Sequence, residues 1–415
     1  MTELRTRPAE GTPEVLRTAA EFKAAASALA AGEGPFAIDT ERASSYRYDD
    51  RAFLVQVRRK GAGTFLFAPE GKREQLTAAL APVLNDSAWV VHAAPSDLPC
   101  LAWLGLYPGT LFDTELAARM AGFEHANLGS MVAELFDVEL EKGYGDADWS
   151  EPNLSLDLRA YAALDVELLL ELAEALRDIL AEQDKLDWVY EEFAAIVAEH
   201  ASIKEPAPRT WRGLKGLNAL HKSEQLVVAK LLWTKREKIA RETDTAPNRV
   251  LPHRVLVEIA RQLPDSPRDF ARIKGVPRKR HGAGLQWLAV VQQAREIDRR
   301  EWPSKKREPS RVPSKTVWNK DHPHLWKVFQ DLRTDCEELG EELGMPWEII
   351  IKPATLRAVV WAAGCPPQAR REGSVGGLVT DESDIAPFLR DEGAREWQIE
   401  LLQPILEEGL DYSGS

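Results

Sequence analysis

Short apolar runs broken by turn residues mark the first part of the chain, and apolar positions at helical spacing mark the rest. A helix-like pattern over Pro13–Ala31 precedes the run Phe36-Ala37-Ile38. That run is entered through Gly34-Pro35 and reads as a buried strand. Phe53 to Val57 predicts a second strand and Gly63 to Phe67 a third, with a hairpin-type turn at Gly61-Ala62-Gly63. Trp89-Val90-Val91-His92 predicts another short strand. From Leu156 to about His200 the apolar spacing is helical, through Leu158, Tyr161, Ala162, Leu168, Leu169 and Leu172. Strands followed by helices predict an α/β unit, a mixed sheet flanked by helices.

The Pro-containing stretch Glu205-Pro206-Ala207-Pro208 closes that unit. Beyond it the pattern is all helical, with helices expected over Ser223–Thr243, Pro252–Leu263, Asp269–Ile273 and Gly284–Arg300. Pro303 to Ser310 has linker composition, and a further helical unit runs from about Val317 to Leu406. The expected organisation is an α/β domain over 1–204, an all-α helical domain over 211–300, a linker over 301–316 and a second all-α helical domain over 317–410.

Charge modifies this picture locally. The chain of 415 residues carries a net −13, yet Arg268 to Lys315 holds 14 Lys and Arg against 5 Asp and Glu. That local +9 leaves −22 on the remainder. A basic segment on an acidic chain is compatible with a polyanionic partner, because phosphate attraction acts over roughly a Debye length, ~8–10 Å. The three cysteines, Cys100, Cys336 and Cys365, fit neither a disulfide framework nor a zinc spacing. No long apolar run predicts a membrane span, and the N-terminal stretch lacks an apolar signal core, so a cytoplasmic protein is expected.

Candidate chemistry lies in three places. Asp39 and Glu41 in PFAIDTE fall at the end of the first strand, where positions i and i+2 share a face. Two carboxylates beside an apolar run are costly to bury without a cation, and hard oxygen donors suit a divalent metal. The plainer alternative is a solvated strand end. Asp97 in VVHAAPSDLPCL follows a strand and precedes a helix, a position that also suits an N-cap. His92 in the same segment is expected in the core or behind the site. Tyr161 and Asp165, four apart in RAYAALDVELLLEL, share one helix face. An aspartate among so many apolar neighbours calls for a partner. Four carboxylates converging in one α/β unit would repel unless metal ions bridged them. Two such ions ~3.5–4 Å apart can drive in-line displacement at phosphorus.

These three motifs resemble those of the DEDD exonuclease superfamily, in the subclass with tyrosine in the third motif. The segments DTERASSYRYDDRAFLVQV, VVHAAPSDLPCLAWLG and ADWS…YAALDVELL are similar to ribonuclease D nearly throughout. SEQLVVAKLLWTKREKIARETDTAPNRVLPHRVLVEIARQLP resembles the helicase-and-RNase-D C-terminal (HRDC) domain, and the last unit is loosely similar to a second one. The resemblance implies a ribonuclease H-like exonuclease domain and two divalent ions, Mg²⁺ or Mn²⁺. It implies that Asp39, Glu41 and Asp165 ligate one ion, that Asp39 bridges to the second and that Asp97 supports the second through water. Tyr161 would orient the attacking water. The implied activity is 3′→5′ exoribonuclease, releasing nucleoside 5′-monophosphates, with RNA 3′ ends such as those of tRNA precursors as partner. No small-molecule cofactor beyond metal and no membrane partner are expected.

The turn in ARIKGVPRKRHGAG, with Lys274, Gly275, Arg278, Lys279 and Arg280, is the candidate phosphate-binding site of the helical part. Trp211, Trp233, Trp287 and Trp302 could stack on bases, although Trp233 and Trp287 sit in core-like patterns. Two other functions stay open at this point. One is a DNA 3′→5′ exonuclease of the Werner type. The other is a non-catalytic nucleic-acid- or helicase-associated binding protein on the same fold.

Overall fold

The structure, a computed structural model, describes residues 3–141, 143–276, 284–304, 312–364 and 378–412. Among the described residues eight strands run β1 Glu3–Arg5, β2 Val15–Leu16, β3 Glu33–Arg42, β4 Ala52–Lys60, β5 Gly63–Phe67, β6 Ala88–Val91, β7 Thr110–Asp113 and β8 Val138–Leu140. Six of them form one mixed sheet in the order β2-β5-β4-β3-β6-β7. The β3–β4–β5 meander is antiparallel, and β6 and β7 add to it in parallel. β1 and β8 pair separately, in parallel. The N-terminal part is thus the ribonuclease H-like mixed sheet that the sequence resemblance implies, with helices on both faces.

Several elements differ from the sequence pattern. The first helix, α1 (Ala19–Ala31), starts six residues later than expected because Thr18 caps it, accepting from Glu21 N–H while the Glu21 carboxylate takes the Thr18 amide. Val15 and Leu16 instead pair with β5. Gly34-Pro35 lies inside β3 at a register irregularity rather than before it. β3 does not stop at Ile38 but continues to Arg42, because β4 offers partners along that whole length. Asp39 and Glu41 therefore lie in the C-terminal part of the strand, on one face, as expected. β1, β7 and β8, at three or four residues each, carry too little pattern to be read locally.

One sheet face presents Ile38 and Phe36 beside Val55 and Val57. It packs against Phe22 and Leu29 of α1 and Leu76 and Leu80 of α2 (Arg73–Leu84), all in one core. The opposite face presents Asp39, Glu41, Leu54, Gln56 and Leu66, by strand parity and register. Short helices follow: α3 (Leu98–Ala102), α4 (Thr114–Met120) and α5 (Leu128–Phe136). The expected helical stretch from Leu156 is three helices, α6 (Leu156–Glu167), α7 (Leu169–Glu182) and α8 (Leu186–His200). α6 lies on the second face, where the small side chains of Ala162 and Ala163 let it approach Leu54 and Leu66.

The middle helical unit holds α9 (Ser223–Glu242), α10 (Pro247–Val250), α11 (His253–Gln262), α12 (Pro267–Arg272) and α13 (Leu285–Glu296). α12 begins two residues before its expected start, at Pro267 behind the Ser266 cap, and α13 ends at Glu296, short of Arg300. This unit has a core of its own, with Leu232, Leu256 and Trp287. The last unit, α14 (Lys315–Asp321), α15 (Pro323–Leu343), α16 (Trp347–Ile350), α17 (Pro353–Gly364), α18 (Ile385–Asp391) and α19 (Glu396–Gly409), shares its core with the sheet unit instead. Trp397 of α19 stacks on Trp188 of α8, centroids 5.1 Å apart, and donates to the Glu192 carboxylate at 3.3 Å. Arg395 meets the other Glu192 oxygen at 3.2 Å. Trp397→Ala is expected to cost about 3–5 kcal/mol, the range for truncating a buried tryptophan. The check is an earlier urea midpoint; an unchanged midpoint would show that this seam carries no stability. Cys100 and Cys336 are buried free thiols, and Cys365 lies outside the described residues. Among the described residues no helix is long and apolar enough to cross a membrane.

Candidate active site

β3 brings Asp39 and Glu41 to the α6 face, and α6 sets Asp165 over them. One oxygen from each of Asp39, Glu41 and Asp165 lies within 4.8 Å of the other two. The i, i+4 neighbour Tyr161 is half-buried on the same helix. Its ring meets Tyr144 edge-on at 5.6 Å and lies tilted against Trp149 at 6.2 Å. The ADWS segment thus supports the tyrosine through Trp149.

Asp97, six residues beyond β6, lies outside that group of three, but its charge acts on Asp39, Glu41 and Asp165. It occupies the N-cap position of α3, yet its side chain makes no capping bond. Thr40, facing away from Asp39 and Glu41, donates to its Oδ1 at 2.5 Å, and the Ser96 hydroxyl donates to its Oδ2 at 2.9 Å. A tertiary partner, Thr40, and the adjacent Ser96 have taken the carboxylate that a helix cap would use. The turn before it is held by Asp113, whose carboxylate accepts from Ala93 N–H at 3.0 Å and Ala94 N–H at 2.8 Å. Ala93 there adopts φ +57°, a conformation uncommon outside glycine. Asp113, at the end of β7, and Thr40 escaped the sequence reading, since nothing local marks either as a clamp on Asp97.

Electrostatics shows why the group needs a cation. Burial, and then the charges of Asp97 and Asp165, push the Asp39 carboxyl well above its usual range. Glu41 rises for the same reasons, through Asp39, Asp165 and Asp97. Burial foremost, then Asp97, pushes Asp165 up to about 8. Burial also raises Asp97, opposed by the Thr40 bond and the Arg42 charge. Arg42 is the cation acting on Asp39, Glu41 and Asp97; its guanidinium lies 4.0 Å from Asp97 and donates to the Ser96 carbonyl. Its position in the DTER segment was legible, but its role depends on a turn more than fifty residues on. Gln56, opposite Asp39 in the register, is fully buried with neither amide atom partnered. Hard carboxylate donors, mutual repulsion and an unpartnered amide beside them fit a divalent cation.

His92 is outside this group. Its Nδ1 lies 2.9 Å from the Thr114 hydroxyl, and burial pushes its pKa down to about 4, so it is a neutral packing residue behind the site. Of the candidate phosphate turn, Gly275 adopts φ +91° beside Val255, and Lys274 is exposed. Arg278, Lys279 and Arg280 lie outside the described residues. Trp287 is buried, as expected, whereas Trp233, Trp211 and Trp302 are half-buried.

Residues 13–181 match the family model for a 3′-5′ exonuclease, 225–291 that for an HRDC domain and 311–410 that for a 3′ to 5′ exonuclease C-terminal domain. The chain is 30% identical to a ribonuclease D of Pseudomonas paraeruginosa over 337 residues, covering 78% of this chain and 83% of that one. The chain belongs to the ribonuclease D family. A ribonuclease D of Acidiphilium cryptum is also 30% identical, over 73% of this chain and 78% of its own. A crystal structure of a protein from Bifidobacterium adolescentis superposes with a TM-score of 0.83 at 30% identity, covering 99% of this chain and 100% of that one. Escherichia coli RNase D shares the fold at a TM-score of 0.65 and 22% identity, over 96% of this chain and 99% of its own. As a member of the ribonuclease D family the protein is a 3′→5′ exoribonuclease, a phosphodiester hydrolase acting on RNA. The acidic cluster on its exonuclease fold points to the use of divalent metal.

Proposed function

We propose that this ribonuclease D-family enzyme trims the 3′ ends of small structured RNAs, tRNA precursors among them, and releases nucleoside 5′-monophosphates one at a time. The observation that carries the site assignment is the convergence of Asp39, Glu41 and Asp165, from two separate elements, within 4.8 Å. Asp39, Glu41, Asp97 and Asp165 would hold two Mg²⁺ or Mn²⁺ ions. Bound there, such ions supply an acidified water and stabilise charge on the leaving oxygen.

The chain's own residues do the rest. The Thr40 and Ser96 hydroxyls hold Asp97 in one orientation, from which its charge acts on Asp39, Glu41 and Asp165. Burial and the charges of Asp165, Glu41 and Asp39 raise the Tyr161 phenol, which keeps it protonated at neutral pH. A protonated phenol donates, so Tyr161 can orient a water oxygen while Tyr144 and Trp149 fix its ring. The new bond forms between that water oxygen and phosphorus, the bond from phosphorus to the 3′ oxygen breaks, and that oxygen takes up a proton. The product is a nucleoside 5′-monophosphate and a strand shorter by one.

Incubating a 3′-extended tRNA with Mg²⁺ or Mn²⁺ and resolving products at single-nucleotide steps tests this. Stepwise shortening that stops near the mature end is expected. Faster loss of a matched DNA strand would make the enzyme a DNA exonuclease instead. Folded protein inert with every metal would favour the binding-protein alternative.

A further inference from the structure

The loop after the catalytic strand is the dock for the HRDC domain. Ala246 N–H donates to the Tyr46 carbonyl at 3.0 Å, and Arg249 Nε donates to the Ser45 carbonyl at 2.7 Å with its guanidinium 4.1 Å over the Tyr46 ring. Arg51 grips Asp244 at 2.8 Å. Between loop and domain lies a cleft of about 720 Å³, lined in part by Arg209, Lys215, Trp233, Arg236, Arg249 and His253. Among the described residues none of its lining side chains is acidic, on a chain of net −13. Ser44 and Ser45 also wall a smaller hollow that contains Glu41, Arg42 and Asp146. At ~3.3–3.6 Å per residue, Ser45 lies no more than about 14 Å of chain from Glu41. The cleft therefore opens beside the carboxylates.

Its cations are not equivalent. Arg236 is buried and neutralised by Glu237 at 2.8 Å, and Arg209 is paired with Asp50 at 3.0 Å. Burial, and then the Arg236 charge, push the His253 pKa down. Arg249 is bonded to a carbonyl and an aromatic ring, which leave its charge uncompensated. Lys215 is exposed and forms no ion pair among the described residues. Two uncompensated cations, a half-buried indole and no carboxylate make a surface for a phosphodiester chain with an unstacked base.

We propose that this cleft binds the single-stranded run of RNA just upstream of the scissile phosphate, with Lys215 and Arg249 on phosphates and Trp233 against a base. The volume is that of a pocket for a few rings, not for a duplex. The cleft thus selects a frayed or single-stranded 3′ end, and it is separate from the Lys274 turn. This assignment rests on the nuclease reading above and adds where the substrate lies.

The test uses the full chain with Mn²⁺ and two substrates, a ten-nucleotide single-stranded RNA and the nitrophenyl ester of a nucleoside 5′-monophosphate, which has no upstream strand. Lys215→Glu is expected to raise KM for the RNA about tenfold and to flatten the slope of log affinity against log salt by about one. Ester hydrolysis and melting temperature should not change. Trp233→Leu should raise KM for the RNA without altering the salt slope. An unchanged KM for the RNA in Lys215→Glu overturns the proposal, and so does an equal loss on both substrates. If the unsubstituted protein hydrolyses neither substrate, the nuclease reading fails. In that case RNA binding by Lys215→Glu in EDTA, read by fluorescence anisotropy, still decides the cleft.

Discussion

Asp39→Ala is expected to slow nucleotide release by roughly a thousandfold or more, about 4 kcal/mol of barrier at 1.36 kcal/mol per tenfold. The size follows from the position of this carboxylate. It lies in the middle of β3, shares the Asp39, Glu41 and Asp165 cluster, and feels the charges of both Asp97 and Asp165. No neighbouring group can replace it, because β3 and β4 are paired through this point and the backbone cannot shift to bring another oxygen forward. Asp165→Asn should cause a loss of similar order while keeping the volume of the side chain. Tyr161→Phe should cost less, since it removes one donor and leaves the acidic cluster whole. Single-turnover assays on a 3′-labelled RNA, with saturating Mn²⁺, separate these outcomes from weakened substrate binding. Near-normal turnover by Asp39→Ala would remove the carboxylate cluster from the chemistry.

The second large effect is a coupling between metal, pH and stability. Asp39, Glu41, Asp97 and Asp165 all sit above their usual carboxyl range in the folded chain, Asp165 at about 8. A carboxyl raised on folding stays protonated in the native state at a pH where the unfolded chain has already released its proton. Metal-free protein should therefore lose stability as pH rises from about 4 toward 8, because ionising the cluster in place costs more than ionising it in water. His92 acts in the opposite sense: its folded pKa is depressed to about 4, so its contribution is lost as pH falls below about 6.5. The comparison that isolates the cluster is with Asp165→Asn, which keeps His92 and drops one charge. In EDTA at pH 8 this variant should melt higher than the unsubstituted protein, and the gap should close by pH 5. Mn²⁺ at a hundred times its Kd should stabilise the unsubstituted protein by about 2.7 kcal/mol and the variant much less. Melting curves that coincide for the two proteins in EDTA at pH 8, or no shift with Mn²⁺, would show that the cluster does not form a metal site.

The periodic signals reach only as far as their own period. Asp39 and Glu41 are two apart on a strand and Tyr161 and Asp165 four apart on a helix, so their shared faces follow from backbone geometry and could be read along the chain. The long, strongly apolar stretches likewise declared the sheet unit and the helical units after it. The apolar run alone stops at Ile38, short of the end of β3 at Arg42. A strand's length depends on what pairs with it, and the residues of β4 supply partners as far as Arg42.

Everything that joins distant segments had to wait for the fold. Asp97 looks like a helix cap, and capping would satisfy it locally. Thr40 claims one of its oxygens instead, because β6 runs beside β3, and the adjacent Ser96 takes the other. Arg42 acquires its role only when the Ser96 turn arrives next to it. The basic run from Arg268 stands out by sequence density, whereas the cleft brings Ser45 together with Lys215 and Arg249, about 170 and 200 residues further along the chain. Composition along the chain cannot reveal such a surface, since electrostatic attraction depends on distance in space. The motif thus marks the carboxylates proposed to hold metal, and the docking of the HRDC domain on the loop behind them forms the cleft proposed for the strand.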